Sequence, residues 1–172
     1  MATIIMLALA ITAQNPSERH VRATEPRIQS LIATGLARSV TFRTLIARLD
    51  ASDVVVYVVP KLTRPALGGF LVHRVVAAGG YRYMRIQIDP AGVDGRAIAV
   101  LAHELQHAVE VAQSPEIRDA EAIARMFSGL SVPFACAATD CSETQGALDV
   151  EFAVRQEMKS HGVMAASAES AR

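Results

Sequence analysis

This chain of 172 residues lacks an excess of basic charge and has only two cysteines, and each feature argues against a class of function. The 17 Lys and Arg residues are balanced by 17 Asp and Glu residues, so the formal net charge is zero. No lysine-rich block or basic stripe is present, which argues against nucleic acid as a partner. The two cysteines, Cys136 and Cys141, do not have the C-x-x-C spacing of a redox or zinc-ribbon site.

No apolar run in the sequence is long enough to cross a bilayer comfortably as a helix. The first run, ATIIMLALAITA at residues 2–13, has instead the length of the hydrophobic region of a secretory signal. Ala8-Leu9-Ala10 and Ala13 are candidate cleavage points, but no Lys or Arg precedes the run. We predict an exported protein, periplasmic or secreted, with no stable membrane span after processing. The alternative is that residues 2–13 form an apolar first helix or strand of the fold.

The compartment also decides what the cysteines do. Cys136 and Cys141 enclose only four residues, and in an oxidising compartment they could form one local disulfide. In a reducing compartment they would be small buried thiols. The predictions of export and of a disulfide therefore depend on each other.

The rest of the chain has the composition of one folded domain. Hydrophobic residues make up 51% of the sequence, and the length suffices for a single core. We predict a domain over residues 20–163 and a flexible tail over residues 164–172.

Hydrophobic periodicity predicts two helices, three strands and three further helices. The expected helices lie at residues 26–37, 39–49, 94–112, 115–129 and from Asp140 or Ser142 to 161, and the expected strands at residues 54–59, 70–76 and 81–88. The glycine pair Gly79-Gly80 can turn the last two strands into a hairpin. This order predicts an α+β fold in which helices pack on a small three-stranded sheet, antiparallel or mixed.

The chemistry lies in His103-Glu104-Leu105-Gln106-His107, which fits the pattern H-E-x-x-H inside the third predicted helix. Residues four apart on a helix share a face, so two imidazoles at this spacing can bind one zinc ion from the same side. Glu104 lies about 100° around the helix. It cannot bind the same zinc with them, but it can reach a water on the zinc and act as a general base. The alternative to a metal site is that the motif consists of two surface histidines beside a surface glutamate.

The segment LAHELQHAVE resembles the active-site helix of the zincin metallopeptidases. The order of elements over about residues 53–158 resembles the gluzincin branch in its smallest form, and HELQHA with a later E-T-x-x-A is similar to small bacterial exported proteins. The resemblance implies a minimal zincin-like fold, a Zn²⁺ cofactor and a peptide or protein substrate. Glu110 and Gln113 stand where metzincins have Gly and a third His, which disfavours that branch.

In gluzincins the third zinc ligand is a Glu from a later helix, and Glu143 is the matching candidate 36 positions after His107. Gly146 and Ala147 would let its helix approach closely. Glu143 also fits an N3 capping role after Asp140. Other candidates for the third ligand are Glu151 and Glu121.

Some residues are candidates for supporting roles. Glu110 shares a helix face with the two histidines and can orient a ligand or be an ordinary solvated residue. Four residues are candidates for stabilising an oxyanion, and the sequence does not choose among them: Tyr81, Tyr83, Arg155 and His161. His20 and His73 are expected to be ordinary surface or edge residues.

The expected activity is that of a zinc-dependent hydrolase, most specifically a metallopeptidase. Its metal would be held by His103, His107 and Glu143, and its base would be Glu104. A zinc-binding scaffold without catalysis and a metal-free periplasmic interaction domain are the competing hypotheses.

Overall fold

The computed structural model describes residues 19–60, 68–90, 95–132 and 143–170, with side chains up to residue 160. The expected signal and the two cysteines lie outside these ranges. Within them, no helix combines the length and the apolar composition needed to cross a membrane.

Five helices and four strands make up an α+β fold. In chain order they are β1 (Val21–Arg22), α1 (Pro26–Arg38), α2 (Val40–Asp50), β2 (Val54–Pro60), β3 (Gly69–Ala78), β4 (Tyr81–Ile88), α3 (Arg96–Ala112), α4 (Ala120–Leu130) and α5 (Gln145–Ser170).

The sheet has the strand order β1-β2-β4-β3 and is mixed. β1, β2 and β4 are parallel, whereas β3 and β4 form the expected antiparallel hairpin. Gly79 and Gly80 turn the hairpin at φ values of 57° and 84°, a region that glycine enters without strain. The prediction of three strands was wrong, because β1 is only two residues long and such a segment has no periodicity to detect.

One face of the sheet is buried by helices, and α3 packs on that face. Alternate residues of the central strands are buried on one side, among them Val56, Met84 and Ile86. Helices α1, α2 and α3 contact these strands. The sequence of α3 is rich in the strong helix formers Ala, Leu, Glu and Gln. It is buried over most of its length because it also packs against α5.

Arg82, at the start of β4, fixes the C-terminal end of α3. Its side chain is fully buried, and it makes two hydrogen bonds of 2.8 and 2.7 Å with the carboxylate of Asp53. The same guanidinium donates to the carbonyl oxygens of Val111, Ser114 and Ile117 at 3.0, 2.8 and 3.1 Å. These carbonyls lie at or just after the end of α3. Those of Val111 and Ser114 also accept backbone hydrogen bonds, from the amides of Ser114 and Ile117, so Arg82 adds a second donor there.

This arrangement corrects two helix boundaries. The fourth helix was expected to begin at residue 115, but α4 begins at Ala120, where Asp119 accepts a hydrogen bond from the amide of Ala122. The preceding residues instead turn back to meet Arg82. The last helix was expected to end at residues 161–162, but α5 continues to Ser170, so the expected tail is helical up to that residue.

Candidate metal centre

Helix α3 presents His103 and His107 one turn apart on the same face. Their Nε2 atoms lie 3.2 Å apart, and each residue is only 6% exposed. The motif therefore does not lie on the surface, and the alternative prediction of two surface histidines is wrong.

Glu143 approaches this pair from the segment before α5. Its Oε2 atom lies 3.1 Å from Nε2 of His103, and the three candidate ligand atoms all lie within 4.8 Å of one another. The backbone carbonyl of Glu143 accepts a hydrogen bond of 2.9 Å from the amide of Val132, just after α4. This contact ties the start of α5 to the end of α4. His103, His107 and Glu143 are thus the group that could hold a metal ion.

Two of the three separations in this donor set are close to those around a tetrahedral cation, and the third, between His107 and Glu143, is at most 4.8 Å. Ligand atoms at about 2.0–2.2 Å from such a cation lie about 3.3–3.6 Å apart. The separations of His103 Nε2 from His107 Nε2 and from Glu143 Oε2, 3.2 and 3.1 Å, are close to that range. A proton on His103 Nε2 can form a good hydrogen bond with only one of these two atoms, whereas a metal ion can be bound by all three atoms at once.

The other nitrogen of each ring faces a second carboxylate. Glu110 Oε2 lies 3.0 Å from Nδ1 of His107. Glu151 Oε2 lies 3.1 Å from Nδ1 of His103, as an ion-pair contact without good hydrogen-bond alignment. A carboxylate beside Nδ1 favours the tautomer with the proton on that atom, which leaves the Nε2 lone pair for a metal. Glu151 is therefore on the wrong side of His103 to share the metal with Glu143.

Electrostatics around the two rings favour a cation. Burial opposes charge on His103, yet the adjacent carboxylates of Glu143 and Glu151, with the charge of Glu104, raise its pKa to about 10. The contact with His103 in turn lowers the pKa of Glu143. A buried site with this excess of carboxylates attracts positive charge, whether a proton or a metal ion.

Glu104 lies beside the pair on the side of β3. It is 7% exposed, and its Oε2 accepts a hydrogen bond of 2.7 Å from the backbone amide of Leu71. Burial raises the pKa of Glu104 more than the neighbouring His107 and His103 lower it. A raised pKa makes a carboxylate a better proton acceptor, which is the property that a general base needs.

The structure separates several other candidates from this centre. Glu121 is exposed on α4 and pairs with Arg125. Tyr81 and Tyr83 lie on the sheet face away from α3, where their rings contact each other. Arg155 is not separated from the centre, because it pairs with Glu151, which contacts Nδ1 of His103. The side chain of His161 lies outside the described residues.

Sequence reasoning missed three residues near the centre. Thr144 donates a hydrogen bond of 2.7 Å to Glu110, and Phe127 packs its ring 5.0 Å from that of His107. His73, expected to be an ordinary edge residue, stacks on Phe127 at 5.2 Å. Thr144 belongs to the E-T-x-x-A motif, which indicated only Glu143, and the other two residues belong to no motif.

Comparisons of the chain with protein-family models, with curated proteins and with solved structures found no match. Function must therefore be inferred from the site itself.

Proposed function

We propose that this protein is a zinc-dependent hydrolase, and more narrowly a metallopeptidase. The observation that carries the proposal is the convergence of two imidazole nitrogens and one carboxylate oxygen beside a buried fourth carboxylate, Glu104. Two His and one Glu are the ligand set of several catalytic zinc sites, which leave one position open. Zinc is favoured over harder ions because imidazole is a preferred ligand of zinc.

The chain's own residues would perform distinct tasks in hydrolysis. Zinc bound by His103, His107 and Glu143 would polarise a carbonyl and acidify water. Glu104 takes a proton from the attacking water as the new C–O bond forms, and gives it to the leaving nitrogen as the C–N bond breaks. The amide of Leu71 holds the Glu104 carboxylate in place for both transfers.

The peptide substrate is supported by the resemblance of LAHELQHAVE to zincin helices rather than by the four site residues. The same chemistry would cleave another amide. Export would agree with hydrolysis of extracellular peptides. It remains a prediction, because residues 2–13 lie outside the described part of the chain.

A zinc-binding scaffold is the alternative function. A structural zinc site has four protein ligands and needs no base. Within the described ranges, only three ligand atoms converge, and the nearby carboxylates of Glu110 and Glu151 face Nδ1 atoms instead. This arrangement favours catalysis over a closed structural site.

The decisive experiment combines metal analysis with one substitution. We expect one zinc per chain in protein purified without chelator. Glu104→Gln should retain that zinc and the fold, and should lower cleavage of a quenched-fluorescent peptide mixture by about 100-fold or more, because it removes the proton acceptor and neither imidazole.

Glu121→Gln is the matched control, since it neutralises an exposed carboxylate far from the centre. It should cleave like the wild type. Equal turnover by the two variants would contradict the role of Glu104, and protein without bound metal in the presence of excess zinc would overturn the proposal as a whole.

A further inference from the structure

Strand β3 borders the candidate metal centre at Leu71. It is the last strand at its end of the described sheet, and its Leu71 amide binds the carboxylate of Glu104. Glu104 marks the side on which a substrate carbonyl would meet the attacking water. The residues of β3 beyond Leu71 are therefore placed along that side.

A bulge follows Leu71 in this strand. Val72 pairs with Arg85 and Val76 pairs with Tyr83, so three residues of β3 lie opposite the single residue between those partners. Bulges re-aim side chains and often occur beside active sites. His73 is the first residue of this bulge. It lies two residues after Leu71, a distance of about 6.5 Å along an extended strand.

The His73 ring stacks on a neighbouring aromatic ring. It lies nearly parallel to the ring of Phe127, at 18° and 5.2 Å between centroids. Phe127 is 1% exposed and makes an edge-to-face contact with the ring of His107. Among the described residues none hydrogen-bonds to the His73 ring, and the residue is only half buried, so its N–H can reach a ligand.

Burial, followed by the charge of His107, lowers the pKa of His73. The ring is therefore neutral at pH 7 and carries one N–H donor and one acceptor. A neutral imidazole can donate a hydrogen bond to a developing oxyanion without giving up its proton.

We propose that His73 donates a hydrogen bond to the carbonyl oxygen of the substrate and stabilises the negative charge that develops on it. This inference rests on the proposed hydrolase function and adds a catalytic residue outside the H-E-x-x-H motif. As the water oxygen adds to the carbonyl carbon, the C=O electron pair moves onto the oxygen facing His73. It returns when the C–N bond breaks, and the His73 proton stays on its ring throughout.

His73→Phe tests the donor while keeping a ring to stack on Phe127. The removal of one oxyanion donor lowers turnover by about 100- to 1000-fold. We expect a loss of that order in kcat for peptide cleavage by the zinc-loaded enzyme, with KM, zinc content and melting temperature near the wild-type values. His73→Gln and His73→Asn, which restore an N–H group, should recover part of the loss in at least one case.

Arg74→Gln is the matched control, because it changes the exposed neighbour in the same bulge. It should leave kcat unchanged. If His73→Phe also leaves kcat unchanged, or if both variants lower it equally, His73 is not the donor and the proposal is wrong.

Binding of a phosphinic peptide, whose tetrahedral phosphorus oxygens imitate the oxyanion, separates this inference from the proposed function. Weaker binding by His73→Phe supports the role of His73 even if the wild type cleaves no peptide in the mixture, in which case only the peptidase assignment fails. Equal binding by wild type and variant overturns the role of His73. If the wild type neither cleaves peptide nor binds the inhibitor, both proposals fail.

Discussion

At the scale of single residues, the ring nitrogen that each glutamate faces decides its role. Glu143 lies on the Nε2 side of His103, where a metal would bind, whereas Glu151 and Glu110 face the Nδ1 atoms of His103 and His107. Removal of a ligand takes away a metal bond. Loss of a carboxylate behind a ligand changes only its orientation and basicity, which typically alters metal affinity by about 10- to 100-fold.

Zinc affinity should therefore rank the three glutamates. Glu143→Ala should weaken zinc binding most, beyond about 100-fold, while Glu151→Gln and Glu110→Gln should each weaken it by about 10- to 100-fold. Competition with a chromogenic chelator measures all three. If Glu151→Gln weakens binding more than Glu143→Ala does, the two carboxylates have been assigned the wrong roles.

At the scale of elements, the site depends on the close approach of α5 to α3. Thr144 accepts a hydrogen bond of 3.1 Å from the amide of Ala147 at the start of α5, and it donates one of 2.7 Å to Glu110 on α3. A Cβ atom on Gly146 would lie 3.1 Å from Glu110 Oε1 and from Gln106 Nε2. Glu110 cannot move away freely, because its other oxygen contacts His107.

Gly146→Ala should therefore weaken zinc binding by displacing Glu110 or the start of α5. Gly129→Ala is the matched control on a helix, since nothing lies within 4 Å of its Cβ position. Because Gly129 is the penultimate residue of α4, the control should raise the free energy of unfolding by at most about 0.5–1 kcal/mol through helix propensity and should leave zinc affinity unchanged. Equal zinc affinity in the two variants would show that α3 and α5 can accommodate a Cβ atom at position 146 without displacing the site.

At the scale of the whole molecule, Arg82 joins the sheet to the far end of α3. Its buried guanidinium binds Asp53 just before β2 and carbonyl oxygens at and after the end of α3. One cation therefore connects the sheet to α3. The hydrogen bonds with Arg82 lower the pKa of Asp53 below its ordinary value of 3.8. The ionised carboxylate is thus favoured in the folded state.

The pH dependence of stability follows from this lowered pKa. The contribution of Asp53 is fully present above the ordinary pKa of 3.8 and is lost as the pH falls through the lower value of the folded state. Asp53→Asn should therefore be less stable than the wild type at pH 6, and the difference should shrink below about pH 4. Urea unfolding of both proteins in chelator, to remove any effect of metal, measures the difference. A difference that stays constant down to pH 3 would show that Asp53 carries no shifted proton equilibrium.

Several features of the fold were readable from local pattern. The strand β4 has the predicted bounds, because strict alternation puts Met84, Ile86 and Ile88 on one buried face. The start of α4 was not readable, since Ser114-Pro115 looks like a helix start and only the hydrogen bonds to Arg82 explain the turn there. The end of α5 was also misplaced, because glycine commonly ends helices, whereas α5 continues through Gly162.

The sequence by itself determined how His103, His107 and the proposed base Glu104 lie relative to one another, because their spacing on one helix follows from helix geometry alone. It also proposed Glu143, which the structure places beside them, but it left Glu151 and Glu121 as alternatives. Only the tertiary structure separated these carboxylates, since the side of an imidazole ring that a residue meets depends on how α5 crosses α3. It alone brought Thr144 to Glu110 and His73 to Phe127, because contacts between elements distant in the chain leave no periodic trace in the sequence.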